Sequence, residues 1–425
     1  MRWIFNDPKN ADETAFRQAT LMRIDAWWKS FVQRASDIEA LFSRRAEWDL
    51  PLWIHQTLNI IDPRLMWEFG PAVRTKGHRL VITPESVHEL RPLVATILKQ
   101  APTIPGWEFY DHRLAESFEV ANPTVQARTG GSLDGCSFRA SVGKHNRIDL
   151  VFASPVCTGP DDEQVLRDAF VASETLLGED MLDQWVGAIE VEKSSEAPRW
   201  FGLRKPRNAP RSLPLDRLYE TFTALCQSIK DQLPSKPLHQ FLKEGNVPAG
   251  ESMEGSQRVG SVLKIESRLE GPTEEDYPQQ DDLFVASTAM TDLWMATHDS
   301  RAFYSARYSR HGETFAYLKI DGREPLDDKF ADRMGIEEAI DNVLISSQAG
   351  CVIGGGTGRI YSYIELAFTD LQRGVELVRE ILSGGNIHKR TWLLFHDRHL
   401  SAEWVGIYDD TPPPPMTPER DNQGD

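Results

Sequence analysis

The chain has 425 residues and a mass of 48.2 kDa, which at roughly 100 to 200 residues per domain allows two or three domains and excludes a single small module. Hydrophobic residues make up 40% of it and charged residues 26%, the balance of a globular protein rather than a disordered or fibrous one. The formal net charge of -17 disfavours a broad surface that coats nucleic acid or anionic lipid.

The N-terminal element, residues 1–60, is predicted to be helical. Large apolar residues recur at helical spacing between Asp12 and Arg44, with no Gly or Pro among them. The stripe consists of Phe16, Ile24, Trp27, Phe31, Ile38 and Phe42. We expect one long amphipathic helix, or two, that packs against the body of its own protein.

A first α+β module is predicted over residues 61–243. Strands are expected at 65–69, 78–82, 107–111, 137–142, 147–154 and 185–192, and helices at 161–177 and 215–233. Thr83 followed by Pro84 is typical of a helix start, and Pro92 predicts a kink or a late restart of that helix. In the helix at 161–177, Leu166 and Phe170 are expected on the buried side together with Val165.

Two segments have the composition of flexible chain. Residues 244–282 are rich in Gly, Ser, Glu and Pro and hold ten acidic and three basic residues, which predicts an acidic linker and a domain boundary. The Pro-rich segment 409–425 holds five acidic residues and one basic residue, which predicts a disordered acidic tail.

The C-terminal module, residues 283–408, has the clearest pattern. Strands are expected at 315–320, 351–353, 360–368 and 391–396, and helices at 334–347 and 370–383. The order β-α-β-β-α-β is that of the ferredoxin-like motif, so the predicted fold class is α+β with two α+β modules, the second ferredoxin-like. The glycines at 354–356 and 358 lie between two predicted strands, which favours a hairpin loop over a phosphate-binding loop.

One predicted strand of this module resembles a known RNA-binding element. Residues 359–366, Arg-Ile-Tyr-Ser-Tyr-Ile-Glu-Leu, resemble the RNP1 strand of the RNA-recognition motif, although Ile360 replaces its glycine. Residues 316–320 are a looser match to the RNP2 strand. The resemblance implies that Tyr317, Tyr361 and Tyr363 share an open sheet face and stack on single-stranded bases.

A basic loop with aromatic residues is the other candidate binding surface. Residues 199–211 gather cationic and aromatic side chains in an otherwise acidic protein: Arg199, Trp200, Arg204, Lys205, Arg207 and Arg211. Guanidinium groups form paired hydrogen bonds with oxyanions, and Trp offers a stacking face. The loop therefore predicts a site for an acidic peptide, a phosphate or a base.

Catalytic patterns are incomplete. His396 and His399 flank Asp397 near the end of a strand, but the sequence offers no further pair that would complete a zinc site. Glu190 and Lys193 resemble part of the acidic and lysine cluster of metal-dependent nucleases, but their spacing of three puts them on opposite strand faces. We expect no metal and no cofactor. An enzyme built around His396 and His399, or around Glu190, is an alternative that only three-dimensional convergence would create.

The leading expectation is therefore a cytoplasmic binding or regulatory protein that is not an enzyme and acts through contact with another protein. Four scattered cysteines and an N-terminus without an apolar leader favour the cytoplasm, and no apolar run reaches membrane-spanning length. Single-stranded RNA binding by the C-terminal module is the third possibility, because the acidic charge makes nucleic acid a less favoured partner.

Overall fold

The computed structural model describes residues 2–194, 212–244, 276–323, 330, 332–385 and 387–415, and the backbone alone of residues 261–264. Within this part the protein has a mixed α+β fold. The chain divides into two compact units. We call residues 18–231 the N-terminal unit, and residues 1–17 together with 232–425 the C-terminal unit.

The first half of the chain supplies the following elements. The helices are α1 (Ala11–Phe42), α2 (Leu50–Thr57), α3 (Arg91–Lys99), α4 (Phe118–Thr129), α5 (Glu163–Leu177), α6 (Glu179–Trp185) and α7 (Leu218–Gln232). The strands are β1 (Met66–Pro71), β2 (His78–Thr83), β3 (Trp107–Tyr110), β4 (Ser137–Val142), β5 (Ile148–Ser154), β6 (Val186–Lys193) and β7 (Leu213–Pro214). Single 3-10 turns lie at Leu58–Ile60, His88–Leu90 and Leu215–Arg217.

Helix α1 covers the segment for which the sequence predicts a long amphipathic helix. The middle of its stripe is buried at Ile24, Trp27 and Phe31, whereas Phe16 near its start is 45% exposed. The ring of Phe31 meets that of Trp107 edge to face, at a centroid distance of 5.0 Å. The stripe therefore belongs to the core of its own chain.

The strands of the N-terminal unit form sheets in the orders β1-β2-β3 and β6-β5-β4-β7. β2 and β3 are parallel, as are β5 and β6, and the other neighbours are antiparallel. A parallel pair needs a long crossover connection, which α3 supplies between β2 and β3 and which α5 and α6 supply between β5 and β6.

Helix α5 faces its sheet differently from the prediction. Val165 and Ala169 are buried as expected, but Leu166 and Phe170 are 39% and 50% exposed. The buried positions follow the spacing i, i+4, i+7 that Ala172 completes, and each exposed residue lies one position, about 100°, further round the helix. The predicted apolar stripe was wrong because it included Leu166 and Phe170, which lie just outside the buried face of the helix.

The predicted helix start at Thr83 was also wrong. Thr83 ends β2, and its hydroxyl donates to the buried carboxylate of Glu179 at 2.5 Å instead of capping a helix. Helix α3 begins only at Arg91, with Pro92 in its first turn, where the missing amide hydrogen is not needed. The late restart that Pro92 predicts is therefore the observed arrangement.

The second half of the chain supplies the remaining elements. The helices are α8 (Leu238–Lys243), α9 (Thr291–Thr297), α10 (Arg333–Ser346) and α11 (Leu371–Ser383), with 3-10 turns at Ser305–Arg307 and Arg398–Leu400. The strands are β8 (Ser261–Lys264), β9 (Leu283–Thr288), β10 (Thr314–Asp321), β11 (Gly350–Gly358), β12 (Tyr361–Phe368), β13 (Thr391–Phe395) and β14 (Trp404–Gly406). They form one antiparallel sheet in the order β14-β13-β10-β12-β11-β9-β8.

The two faces of this sheet carry different side chains. One face supplies Leu318, Ile364 and Leu393 to an apolar core, which Ile340 of α10 and Val378 of α11 complete. Because side chains alternate along a strand, the intervening residues point to the opposite face. That opposite face carries the tyrosines that the sequence singled out.

The glycine-rich run at 354–358 is not a hairpin loop but the second half of β11, which pairs with both β9 and β12. Its neighbours approach too closely for a side chain. A Cβ on Gly354 would lie 2.4 Å from the carbonyl oxygen of Ser287, and one on Gly356 would lie 2.4 Å from Leu283. The glycines therefore permit close strand contact rather than a flexible turn.

The N-terminal segment belongs to the C-terminal unit. The buried carboxylate of Glu403 accepts hydrogen bonds from the successive backbone N–H groups of Trp3, Ile4 and Phe5, at 2.5 to 3.0 Å. The guanidinium of Arg2 lies 3.7 Å from the ring centroid of Trp404. These bonds tie residues 2–5 to the segment beside β14.

Part of the predicted linker and part of the predicted tail pack against this sheet. Residues 276–282 include Tyr277 and Asp282, which are buried, and Trp392 donates its indole N–H to the carbonyl oxygen of Pro412 at 2.6 Å. The linker also contributes β8, which pairs with β9, whereas residues 245–260, 265–275 and 416–425 lie outside the described residues. Among the residues described, no helix has the length and apolar character to cross a membrane.

The close contact between β11 and β9 leads to a prediction about stability. We expect Gly354→Ala to lower the free energy of unfolding by about 1–3 kcal/mol, because the new methyl group meets backbone atoms that cannot rotate away. Urea unfolding followed by circular dichroism measures the change. Gly159→Ala is the matched control, since no atom lies within 4 Å of its added Cβ. Equal effects of the two substitutions would contradict the prediction.

Candidate functional site

The three predicted binding tyrosines lie together on one sheet face. Tyr317 is on β10, and Tyr361 and Tyr363 are on the adjacent strand β12. The ring centroids of Tyr317 and Tyr363 are 6.2 Å apart, and those of Tyr361 and Tyr363 are 6.5 Å apart. All three side chains are buried, however, with at most 4% exposure. The expected open aromatic face is therefore covered in this structure.

The cover includes a short acidic segment that we call the strap, residues 276–282. Its aromatic residue Tyr277 joins the tyrosine cluster, together with Leu283 and Trp294 that follow in the chain. The strap has little other apolar surface. It is held on the sheet face by hydrogen bonds and ion pairs, which Lys319, Tyr361, Tyr363 and Glu365 provide from the sheet.

Lys319 lies at the centre of these contacts and is completely buried. Its ammonium group donates to the carbonyl oxygens of Tyr277 and Gln279, the latter at 2.9 Å, and lies 4.1 Å from the ring centroid of Tyr361. Burial lowers the pKa of Lys319 to about 8, although the carboxylates of the strap, Asp282 foremost, act in the opposite direction. The strap backbone thus replaces the water that the lysine loses.

Carboxylates of the strap accept hydrogen bonds from the tyrosine hydroxyls. Asp282 accepts from the Tyr363 hydroxyl and, at 3.0 Å, from the backbone N–H of Tyr361. At the other end of the strap, Asp276 accepts from the Tyr361 hydroxyl and pairs with Arg390 at 2.6 Å. Burial, followed by the charge of Asp282, raises the pKa of Tyr363, which keeps its hydroxyl a donor.

A buried histidine and glutamate pair lies beside the tyrosines. Nε2 of His396 is 2.7 Å from Oε2 of Glu365, and Gln280 of the strap donates to the other carboxylate oxygen at 2.6 Å. The ring of Tyr317 lies against His396, with centroids 4.8 Å apart. Burial acts to raise the pKa of Glu365, but the charge and hydrogen bond of His396 outweigh it and hold that pKa below its usual value.

The structure does not bring His396, Asp397 and His399 to a common site. His396 pairs with Glu365, whereas Asp397 accepts from the backbone N–H of Ser305 at 3.1 Å. His399 packs its ring against Tyr304, with centroids 4.9 Å apart. Each side chain of this group therefore has its own partner.

Glu190 is an exposed residue of β6 in the N-terminal unit. Glu192 on the same strand forms a two-pronged ion pair with Arg139, at 2.6 and 2.8 Å. Asp149 on the neighbouring strand β5 accepts from the backbone N–H of Ala188 at 2.8 Å. Glu192 and Asp149 thus both have hydrogen-bond partners on neighbouring strands of their own sheet.

The basic aromatic loop lies outside the described residues. Its members, Arg199, Trp200, Arg204, Lys205, Arg207 and Arg211, stay a prediction from sequence.

Compared with known proteins, the chain matches no family model, and no curated protein or solved structure is significantly similar to it.

The His396–Glu365 pair predicts a pH-dependent stability. The pKa of Glu365 in the folded chain lies below the ordinary glutamate value of 4.5, so its stabilising effect is complete above pH 4.5 and is lost as the pH falls through the lower folded value. We therefore expect Glu365→Gln to flatten the acid side of a plot of unfolding free energy against pH. Urea unfolding between pH 3 and pH 7 measures this. The exposed Glu338→Gln is the control, and an identical acid limb in both variants would contradict the prediction.

Proposed function

We propose that the chain is a cytoplasmic binding or regulatory protein that acts through protein–protein contact. The contact would be made by the sheet face that carries Tyr317, Tyr361 and Tyr363, which we call the tyrosine face. In this proposal the tyrosine face binds an extended acidic segment of the partner. The observation that carries this proposal is the strap. It is an acidic segment held on that face mainly by polar bonds, with its backbone carbonyls on Lys319.

The chemistry of the face suits such a ligand. It offers the cations Lys319 and Arg390 and the hydroxyl donors of Tyr361 and Tyr363, and the strap answers with carboxylates and carbonyl oxygens. Hydrogen bonds with a charged partner are the stronger class. A segment from another protein with acidic residues at similar spacing would satisfy the same donors.

The Asp276 end of the strap is the part that a partner segment would displace first. The side chains of Asp276 and Arg390 are 42% and 27% exposed, whereas Asp282 at the other end is completely buried. An exposed ion pair contributes little net stability and exchanges readily with other charges. Displacement would therefore begin at Asp276 and proceed towards Lys319.

The strand order supports the finer fold proposal. Within the larger sheet, β13, β10, β12 and β11 are consecutive neighbours, and α10 and α11 pack on one face of them. This order and the one-sided helices support our inference of a ferredoxin-like module formed by β10-α10-β11-β12-α11-β13. In this proposal the strap covers the face opposite the helices. All four cysteines have free thiols, which supports the cytoplasmic assignment.

A peptide in trans tests the proposal. The probe is a fluorescein-labelled peptide with the sequence of residues 276–282, Asp-Tyr-Pro-Gln-Gln-Asp-Asp, titrated with the full chain and read by anisotropy. We expect Asp276→Asn combined with Gln280→Ala to bind it at least about tenfold more tightly than the unmodified chain, ~1.4 kcal/mol, because the weakened strap competes less. The exposed Glu338→Gln, on α10 outside the strap, is the control and should leave the affinity unchanged.

Other outcomes separate the alternatives. A peptide with Asn in place of its three Asp residues should bind at least tenfold less tightly, since the tyrosines and Arg390 prefer carboxylates. No peptide binding by a double variant that keeps the native unfolding transition would overturn the proposal. Binding of labelled single-stranded oligouridylate without binding of the peptide would instead favour the nucleic-acid alternative.

A further inference from the structure

Glu365 is a buried carboxylate whose two oxygens have partners of different origin. It lies on β12, and its side chain is 5% exposed. Its Oε2 is 2.7 Å from Nε2 of His396, which follows β13 in the same sheet. Its Oε1 accepts a hydrogen bond at 2.6 Å from the side-chain amide of Gln280, which belongs to the strap. The sheet therefore provides the partner of one oxygen, and the strap provides the partner of the other.

The group that meets Oε1 must be a hydrogen-bond donor. An ionised carboxylate only accepts hydrogen bonds, and the pKa of Glu365 is held below its usual value by His396. A second carboxylate at the position of Gln280 would place two negative charges in contact in a buried site. An apolar side chain would leave Oε1 without a partner, which is costly for a buried charged group.

The donor must also bring no charge of its own. The charge of His396 already opposes that of Glu365, so an ammonium group at position 280 would leave an excess of positive charge in the buried site. A side-chain amide donates a hydrogen bond and stays neutral. Glutamine is therefore suited to this position because it satisfies Oε1 without changing the charge of the site.

Two other contacts of the strap fix the position of Gln280 along a bound segment. Tyr277, three residues earlier, is buried in the tyrosine cluster, and Asp282, two residues later, accepts from the hydroxyl of Tyr363. Gln279, between Tyr277 and Gln280, is exposed and meets the sheet through its backbone carbonyl oxygen, which accepts from Lys319. Side-chain identity therefore matters at Tyr277, Gln280 and Asp282 but not at Gln279.

We propose that Glu365 is a specificity-determining residue of the tyrosine face, which selects segments with a glutamine three positions after an aromatic residue and two positions before a carboxylate. This inference rests on the proposed function and narrows its ligand from acidic segments in general to that pattern. His396 is a positioning residue, because it holds the oxygen of Glu365 that the segment does not reach.

Labelled peptides test the selection in trans. The chain is the double variant Asp276→Asn with Gln280→Ala, whose strap is weakened, and the probe is the fluorescein-labelled peptide of residues 276–282. We expect the peptide with Gln280→Glu to bind at least about tenfold less tightly than the unmodified peptide, because its carboxylate meets that of Glu365. The peptide with Gln279→Glu is the matched control. It has the same change in charge at the exposed neighbouring position and should keep the original affinity.

A reciprocal change in the chain separates selection from a structural role. Adding Glu365→Gln to the double variant should strengthen binding of the Gln280→Glu peptide by at least about tenfold, since the new amide donates to the carboxylate of the peptide. A merely structural role for Glu365 would instead lower the affinity for all peptides alike. A preference for the unmodified peptide that Glu365→Gln leaves unchanged would overturn the inference.

A measurement on the strap itself covers the case in which the Glu365→Gln chain does not fold. Lys319 is completely buried with the strap in place, so its acetylation by sulfosuccinimidyl acetate, followed by mass spectrometry, reports displacement of the strap. In the full chain, Gln280→Glu should raise the rate of Lys319 acetylation at least about tenfold, whereas Gln279→Glu should not. The exposed Lys29 is the internal reference. Equal rates in the two variants would overturn the inference.

The two measurements distinguish failure of this inference from failure of the proposed function. If no peptide binds but Gln280→Glu alone speeds Lys319 acetylation, the proposed function is wrong and selection by Glu365 stands. If the unmodified and Gln280→Glu peptides bind equally well, the tyrosine face binds acidic segments and the selection by Glu365 is wrong.

Discussion

The buried ammonium group of Lys319 is the constraint on which the C-terminal unit depends. A lysine in the middle of a sheet face loses its water on folding, a cost of several kcal/mol unless other groups replace that water. The carbonyl oxygens of Tyr277 and Gln279 do so, and they can reach Lys319 only if the chain around them lies flat on the sheet. Once it does, Tyr361 and Tyr363 become part of the core.

Three elements of this unit could be predicted closely because they depend on local patterns. Alternation in β10 and β12 and helical spacing in α11 are visible in the sequence, and the observed bounds of these three elements differ from the predicted ones by one residue. The second half of β11 was missed because its glycines have no side-chain alternation to show. The cover of the sheet face could not be predicted. The strap is rich in acidic and amide residues, so its composition is that of a linker, and only the specific partners Lys319, Tyr363 and Glu365 make its burial favourable. Composition reports average burial but not which polar groups meet.

The contacts of His112 in the N-terminal unit, with Asp111 at 2.6 Å and Asp180 at 3.4 Å, could not be predicted for a different reason. Asp111 and His112 are adjacent in the sequence after a predicted strand, which is a visible signal, but Arg91 and Asp180 join them only through the parallel pairing of β2 with β3 and the position of α6. His396 and His399 stand out in the sequence instead, because they share a short segment. Closeness in sequence was a poor guide there, since the 3-10 turn Arg398–Leu400 separates the two rings and gives each its own partner.

The strap also sets a threshold for any partner of the tyrosine face. A segment tethered within the same chain acts at an effective concentration on the order of millimolar. A free acidic segment that makes similar contacts must therefore exceed that concentration or bind more tightly. Its apparent affinity equals its intrinsic affinity multiplied by the fraction of chains whose strap is displaced. A partner segment that binds the same tyrosine face can out-compete the strap if it makes contacts beyond those of residues 276–282. The cation pair of Lys319 and Arg390 would thus respond to a long acidic segment and exclude a short one.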